Sequence, residues 1–321
     1  MAGIVNGPLS VAVVRDALIS AFEYDRSTTE MRGAVYDSNG DLVPGSMRMS
    51  GAHGDRVRAG YPETKKADGT EKVIPSAIYM GHLMDHYGHF LMETVSTFWA
   101  IPYLQEQRFL FHPFFFGDSI KAWMKPFFAS NGISSGKVEV IDGDLLVDHL
   151  LVPERSYGVN TFLHVRQAEV YRAVKSRIVR AAVPKGVERR VFVSRSRLSK
   201  NIRGVMNAAA FDQAMERAGF AVIFPETMAI KEQVKVYASA DILCGFAGSA
   251  LHNCVFMEPG SHLIELGDAR TPTFSLRTQI LCSELARVRL SHVNHRSMPA
   301  PRDDEIDIEW TVSQVEALAR S

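Results

Sequence analysis

The chain has 321 residues, 46% hydrophobic and 22% charged, so it can bury a sizeable core and extensive disorder is excluded. Lysine plus arginine equals aspartate plus glutamate at 36 each, a balance that supplies no global field for a polyanion and argues against a dedicated nucleic-acid binder. Three cysteines, Cys244, Cys254 and Cys282, without CxxC spacing, argue against a disulfide framework and point to a reducing compartment. The N-terminus lacks a basic start and a continuous apolar run, and no stretch of about 18 apolar residues is present, so a cytoplasmic protein is expected.

In chain order, residues 1–75 are rich in Gly, Asp and Ser and read as an irregular, partly β segment. Apolar residues at helical spacing (Phe90, Leu91, Val95, Phe98, Trp99) predict a helix from about His86 to Leu104. RFLFHP (108–113) reads as a buried strand and DSIKAWMKPFFAS (118–130) as an amphipathic helix opened by Asp118. KVEVID (137–142) and LLVDHLLVP (145–153) read as strands, and 163–181 as a helix. The aromatic residues Phe114, Phe115, Phe116, Trp123, Phe127 and Phe128 read as core rather than as a lipid contact. PKGVERR (184–190) is a polar connector. It divides the chain into an N-terminal segment 1–75, a first domain 76–185, a second domain 186–300 and a C-terminal helix in 301–321.

The second half alternates more regularly. RRVFVSRS (189–196) is a strand entering a polar turn, Asn207 caps a helix ending at Gly219, FAVIFP (220–225) is a strand and KEQVKVYASA (231–240) a helix. DILCGF (241–246), a small-residue turn and helix, and the strand HLIELG (262–267) follow. Such alternation implies parallel strands with crossover helices, a Rossmann-like domain. Thr311 and Gln314 have capping-box spacing at the start of a last helix.

Four places carry chemistry. In GFAGSALHN (245–253), Gly245 and Gly248 allow close backbone approach to an anion at a helix N-terminus, with Ser249 and Asn253 alongside; the same residues suit a plain strand-to-helix turn. In SRSRLSKNIRG (194–204), Arg195, Arg197, Lys200 and Arg203 crowd one loop, either as a diphosphate clamp or as a solvated charge run. Glu226 and Glu265 are candidate acceptors for ribose hydroxyls; Glu226 could equally be a surface residue near a helix start, whereas Glu265 in an apolar strand needs a partner. In MGHLMDHYGHFLME (80–93), His82, His86, His89 and Glu93 share one face if the stretch is helical, with Asp85 four residues before His89. The cluster is open to three readings: an acid/base pair, a polar helix start, or a zinc site of His82, His86 and Glu93 without an HExxH signature.

HYGHFLMETVSTFWA (86–100), with VFVSRSRLS (191–199), GFAVIFPE (219–226), KEQVKVYASADILCGFAGSALHN (231–253) and HLIEL (262–266), resembles glycosyltransferase family 61 over roughly residues 75–270, here as a bacterial member. The resemblance implies an α/β GT-B-like fold: two Rossmann-like domains facing across a cleft, preceded by the irregular N-terminal β segment. It implies an inverting, metal-independent hexosyl- or pentosyltransferase without cofactor, acting in bacterial surface polysaccharide synthesis. The sugar would pass from a nucleotide-sugar to a glycan or lipid-linked acceptor, with peripheral membrane association at the inner face and no nucleic-acid partner. His89 and Glu93 match the family motif as catalytic residues, with Asp85 and His86 nearby; Arg195, Arg203, Glu226, Gly245, Gly248, Ser249, Asn253 and Glu265 fall on the donor side. Two positions depart from the family pattern: Ala247 stands where the family commonly has His, and Ala208 where it often has Glu. Ala247 motivates the alternative of a catalytically impaired binding module of the same fold, and a zinc-dependent hydrolase is the third reading.

Overall fold

The structure, a computed structural model, describes residues 3–49, 58–104, 108–114, 117–179, 189–198, 207–268, 271, 273–294 and 305–321. The fold is mixed α/β, in two compact units, Met1–Val174 and Lys175–Ser321. Residues 184–188 of the predicted connector, Phe115, Phe116, Lys200 and Arg203 lie outside the described residues. Among the described residues no helix is long and apolar enough to cross a membrane.

The first unit is built on six strands: β1 (Val11–Ile19), β2 (Val35–Tyr36), β3 (Lys72–Met84), β4 (Phe109–Phe114), β5 (Val138–Val140) and β6 (Leu145–Pro153). Their order is β2-β1-β6-β3-β4-β5. The last four run parallel, while β1 pairs antiparallel with β6 and β2 antiparallel with β1. Part of the N-terminal segment therefore belongs to the main sheet. Short strands at Glu23–Asp25, Glu30–Arg32 and Arg58–Ala59 form one small sheet, and Gly3–Val5, Tyr157–Gly158 and Phe162–His164 another.

β3 corrects the reading of MGHLMDHYGHFLME. From Ala77 to Met84 every side chain is buried, the pattern of a central strand covered on both faces, and no two-residue alternation is left to betray it. His82 lies in this strand. A register shift falls between Tyr79 and His82, where Gly81 adopts φ +86°, open to glycine but strained for other residues. The helix is confined to α1 (Tyr87–Met92), followed by a ten-residue 3₁₀ helix, Thr94–Tyr103. The run Thr-Val-Ser-Thr disfavours α-helix because its hydroxyls compete for backbone groups. Here Thr94 Oγ1 donates to the His82 carbonyl (2.9 Å) and Thr97 Oγ1 to that of Met80 (3.1 Å), fastening the 3₁₀ helix to the irregular end of β3. α2 (Lys125–Ser130) is shorter than predicted. Pro126, which suits a first turn, sets its start, and Asp118 instead accepts from Ser119 and Lys121. Phe114, Phe127 and Phe128 are core residues and Trp123 is half-buried. α3 covers Gln167–Ile178.

The second unit alternates as predicted through β7 (Arg190–Val193), α4 (Ala208–Arg217), β8 (Ala221–Ile223), α5 (Ile230–Ser239), β9 (Ile242–Phe246), a helix at Ser249–Phe256 that is 3₁₀, and β10 (His262–Leu266); α6 (Arg277–Ala286) and β11 (Arg289–Val293), which the sequence reading lacked, precede the last helix α7 (Ile308–Arg320). All five strands are parallel, in the order β8-β7-β9-β10-β11. The chain runs outward from β7 to β8, then back to β9, so the winding reverses between β7 and β9. Phe192, Phe211, Met215, Ile264 and Val315 fill the core, and the three cysteines are buried free thiols.

Two caps differ from expectation. Thr311 lies inside α7, whose cap is Asp307 accepting from the Trp310 amide (2.8 Å). Asn207 precedes α4, but its side chain does not cap it: Nδ2 donates to the Ile306 carbonyl (2.8 Å) and Oδ1 accepts from the Ile306 amide (3.0 Å). A capping residue tolerates Asn→Asp, whereas this two-way pairing loses its donor. Asn207→Asp is therefore expected to destabilise the protein by about 1 kcal/mol or more in urea denaturation, close to Asn207→Ala. An Asp variant as stable as wild type would restore the capping role.

Candidate active site

In the first unit the chain leaves β3 at Asp85 and His86, and the extended backbone of His86 (φ −123°, ψ 117°) admits α1. One helical turn then puts His89 and Glu93 on the same face. Glu93 Oε1 receives His89 Nδ1 at 2.5 Å, with the imidazole side chain 33% exposed and the carboxylate 4%. Arg48 Nε lies 2.6 Å from Glu93 Oε2 and Arg48 Nη2 3.1 Å from Oε1, a two-pronged contact with the arginine side chain 2% exposed. Burial pushes the Glu93 carboxyl toward its neutral form, but the Arg48 charge and the hydrogen bonds from His89 and Arg48 prevail and hold it at about 2. A carboxylate only accepts, so it fixes the His89 proton on Nδ1 and the basic lone pair of the neutral ring on Nε2.

The other members of the cluster separate. His86 is exposed, its ring edge-on to His89 with centroids 4.9 Å apart. Asp85 faces Lys121 at 4.0 Å. His82 is buried in β3: Nδ1 accepts from Arg155 Nη2 (3.1 Å), Nε2 has no hydrogen-bond partner among the described residues, and burial, then the Arg155 charge, keep the ring far below its ordinary pKa. Gly81 makes that contact possible, because a Cβ there would lie 2.6 Å from the Arg155 guanidinium. The sequence-based trio His82, His86 and Glu93 is thus not assembled. Among the described residues no group of three or more His, Cys, Asp or Glu side chains could hold a metal. Arg48 was invisible to sequence reasoning, since it lies 45 residues from Glu93 in the segment that reads as irregular.

In the second unit, Ser194–Leu198 follows β7. The Ser194 and Ser196 hydroxyls both donate to Asp212 Oδ2 on α4 (2.9 and 2.6 Å), shaping the loop. Arg195 reaches across to the end of β9, where Nη2 donates to the carbonyls of Phe246 (3.1 Å) and Ala247, while Nη1 lies 3.8 Å from Asp268 Oδ2 beyond β10. Gly248 is extended, and any Cβ there would collide with that guanidinium. Ser249 opens the 3₁₀ helix, and buried Asn253 braces it by donating to the Ala250 carbonyl (2.9 Å). Gly245 is pressed against Val193 and Leu251, so its missing side chain serves packing. Glu265 is buried in β10, in register with Gly245 and His292. Glu226 is exposed in a turn after β8, and Arg197 stacks on Phe224 at 3.7 Å. Arg195, Gly245, Gly248 and Ser249 therefore converge at the adjoining carboxyl ends of β7 and β9, with Glu265 one strand further. Asp212 and Asp268 were missed; Asp212 carried a signal, a carboxylate on the inner face of an amphipathic helix.

The sequence model of a protein family described as Glycosyltransferase 61 matches residues 87–264, more than half of the chain. The match takes in His89, Glu93, Arg195, Glu226, Gly245, Gly248, Ser249 and Asn253. No curated protein matches.

The buried groups set the acid stability. Burial lowers His112 from its ordinary 6.5 to about 4, and Glu93 sits at about 2 against an ordinary 4.5. In both cases the native state binds fewer protons than the unfolded chain, so stability is complete at high pH and lost on acidification. The His112 share falls between pH 6.5 and 4 and that of Glu93 between 4.5 and 2, each about 3 kcal/mol in full. Urea midpoints should be flat above pH 6.5 and decline below it, with a shallower decline to pH 4.5 in His112→Gln. A wild-type curve flat down to pH 4.5 would contradict this.

Proposed function

The chain belongs to glycosyltransferase family 61 and is a glycosyltransferase, and from that premise we propose that it inverts the anomeric carbon of a nucleotide-sugar, with His89 as the base and without a metal. A glycosyltransferase binds a sugar donor and an acceptor. The observation that carries the reading is the His89–Glu93 pair, a half-exposed imidazole backed by a buried carboxylate inside the matched segment. The acceptor hydroxyl gives its proton to His89 Nε2 as its oxygen attacks the anomeric carbon. The bond from that carbon to the diphosphate oxygen breaks on the opposite face, and its electron pair leaves with the diphosphate. Glu93 accepts the Nδ1 proton's hydrogen bond throughout and keeps Nε2 turned to the acceptor.

The donor reading rests on the second unit. In open parallel sheets ligands bind outside the carboxyl ends of strands where the winding reverses. Arg195 and the amides opening Ser249–Phe256 lie at that point and suit the charge of a departing diphosphate. Five parallel strands support a Rossmann-like second half of a GT-B enzyme; β6-β3-β4-β5 support the first half, with antiparallel β1 and β2 as a departure. Glu226 and Glu265 are proposed as ribose acceptors, and Arg203 as a second phosphate ligand. A glycan or lipid-linked acceptor in bacterial surface polysaccharide synthesis, at the cytoplasmic face of the membrane, rests on the family resemblance.

Arg195→Ala should weaken nucleoside diphosphate binding about 10- to 150-fold, as loss of a charge-assisted contact worth about 1.5–3 kcal/mol, and change binding of the free nucleoside far less. Equal losses would remove Arg195 from the phosphate. His89→Gln should keep its melting temperature and donor affinity while turnover falls about 100- to 10,000-fold; a folded variant with near-normal turnover would remove His89 as the base. EDTA should leave transfer unchanged.

A further inference from the structure

We infer that Arg48 is a positioning residue that takes up the charge of Glu93, so that the carboxylate orients His89 without holding a proton on it. This rests on the reading of His89 as the base. A base must be neutral when the acceptor arrives, yet a buried, uncompensated carboxylate 2.5 Å from an imidazole favours imidazolium. Both Arg48 and Glu93 are almost wholly out of water, so little screening weakens their interaction. The guanidinium and carboxylate together present His89 with an acceptor atom but little net charge.

Arg48 is itself held from several directions. Its backbone amide donates to the Tyr61 hydroxyl (3.0 Å) and its guanidinium lies 5.6 Å from the Phe114 ring centroid. The two carbonyls before it are gripped by a second buried arginine: Arg155 Nε donates to Met47 O (2.9 Å) and Nη2 to Ser46 O (3.3 Å). Arg155 also faces His82, which burial keeps neutral. Among the described residues, the charged and titratable groups around the His89–Glu93 pair thus include Arg48, Tyr61, Arg155 and His82 from neighbouring elements. His86 and Asp85, the latter facing Lys121, come from the start of α1 itself. Of these, Arg48 alone bonds both carboxylate oxygens of Glu93 among the contacts described.

The test compares Arg48→Met, Arg48→Lys and the double variant Arg48→Met/Glu93→Gln by kcat/KM against pH and by NMR titration of the His89 ring, assigned with His89→Gln. In Arg48→Met the acid limb should move to higher pH, so that the loss relative to wild type is about tenfold or more greater at pH 6 than at pH 8.5. The His89 ring should take up its proton at higher pH than in wild type. Arg48→Lys, which keeps the charge, should stay near wild type, and the double variant should return the limb because the uncompensated charge is gone. A folded Arg48→Met with a uniform loss at every pH and an unchanged ring titration would make Arg48 merely structural. If Arg48→Met does not fold, an Arg48→Lys limb displaced to high pH would equally overturn the inference. Wild type without transfer from any nucleotide-sugar would sink the proposed function, while the ring titration would still decide the role of Arg48.

Discussion

A carboxylate taken out of water and kept charged is the constraint around which the first unit is organised. Stranding such a charge by removing one partner costs about 3–5 kcal/mol, so the surrounding chain has to deliver its partners reliably. Glu93 sits where α1 gives way to the 3₁₀ helix, and its own carbonyl accepts the Ser96 hydroxyl (2.6 Å). Arg48 must arrive from far upstream. That requirement gives the N-terminal segment a purpose beyond covering the sheet: β1 and β2 anchor it, and Arg155 ties the Ser46–Met47 backbone to β3. The histidine that would do chemistry is the outermost member of a chain of contacts that begins in the core.

The second unit solves a different problem by different means. Its loops are joined by one cation bonded to backbone. Arg195 spans from the β7 loop to the carbonyls ending β9 and to Asp268 after β10, so three successive carboxyl-edge loops share one side chain. Asp212 then fixes the β7 loop from below through two serine hydroxyls. Part of the arginine charge is spent on these contacts. For the proposed diphosphate, what remains would come jointly from the guanidinium and from the amides at the start of the 3₁₀ helix, fixed groups that need no reorganisation.

The second unit was legible as far as β10 because its strands are short apolar runs punctuated by Gly and polar turns, and α4 and α5 keep a 3.6-residue period; α6 and β11 were not read from the sequence, and the helix expected after β9 is 3₁₀. The first unit was less so, for identifiable reasons. β3 is buried on both faces, which erases the alternation that marks a strand, and its His82 and Gly81 look like interruptions of a helix. α1 has only six residues, too few to display a period, and its continuation is 3₁₀. The His89–Glu93 pair was readable because a four-residue step is local. Arg48, Arg155 and Asp268 were not, because each meets its partner through tertiary structure alone, and no spacing rule reports a contact across 45 or 73 residues.

Position 247 draws the two halves together. The family resemblance leads one to expect an imidazole there; in this chain Ala247 has no exposed surface, its amide donates to Leu266 O (2.8 Å), and its carbonyl accepts from Arg195. The space above the turn is occupied by the guanidinium, which is why Gly248 cannot bear a side chain. A permanently charged, planar donor therefore stands beside the turn where a titratable ring would otherwise be. At that position nothing changes charge near neutral pH. The proton traffic of the proposed reaction is left to the first unit, where Glu93 and Arg48 hold the environment of His89 fixed, while the second unit supplies charge that does not vary. In the proposed reaction, this division would let the donor loops change without disturbing the base.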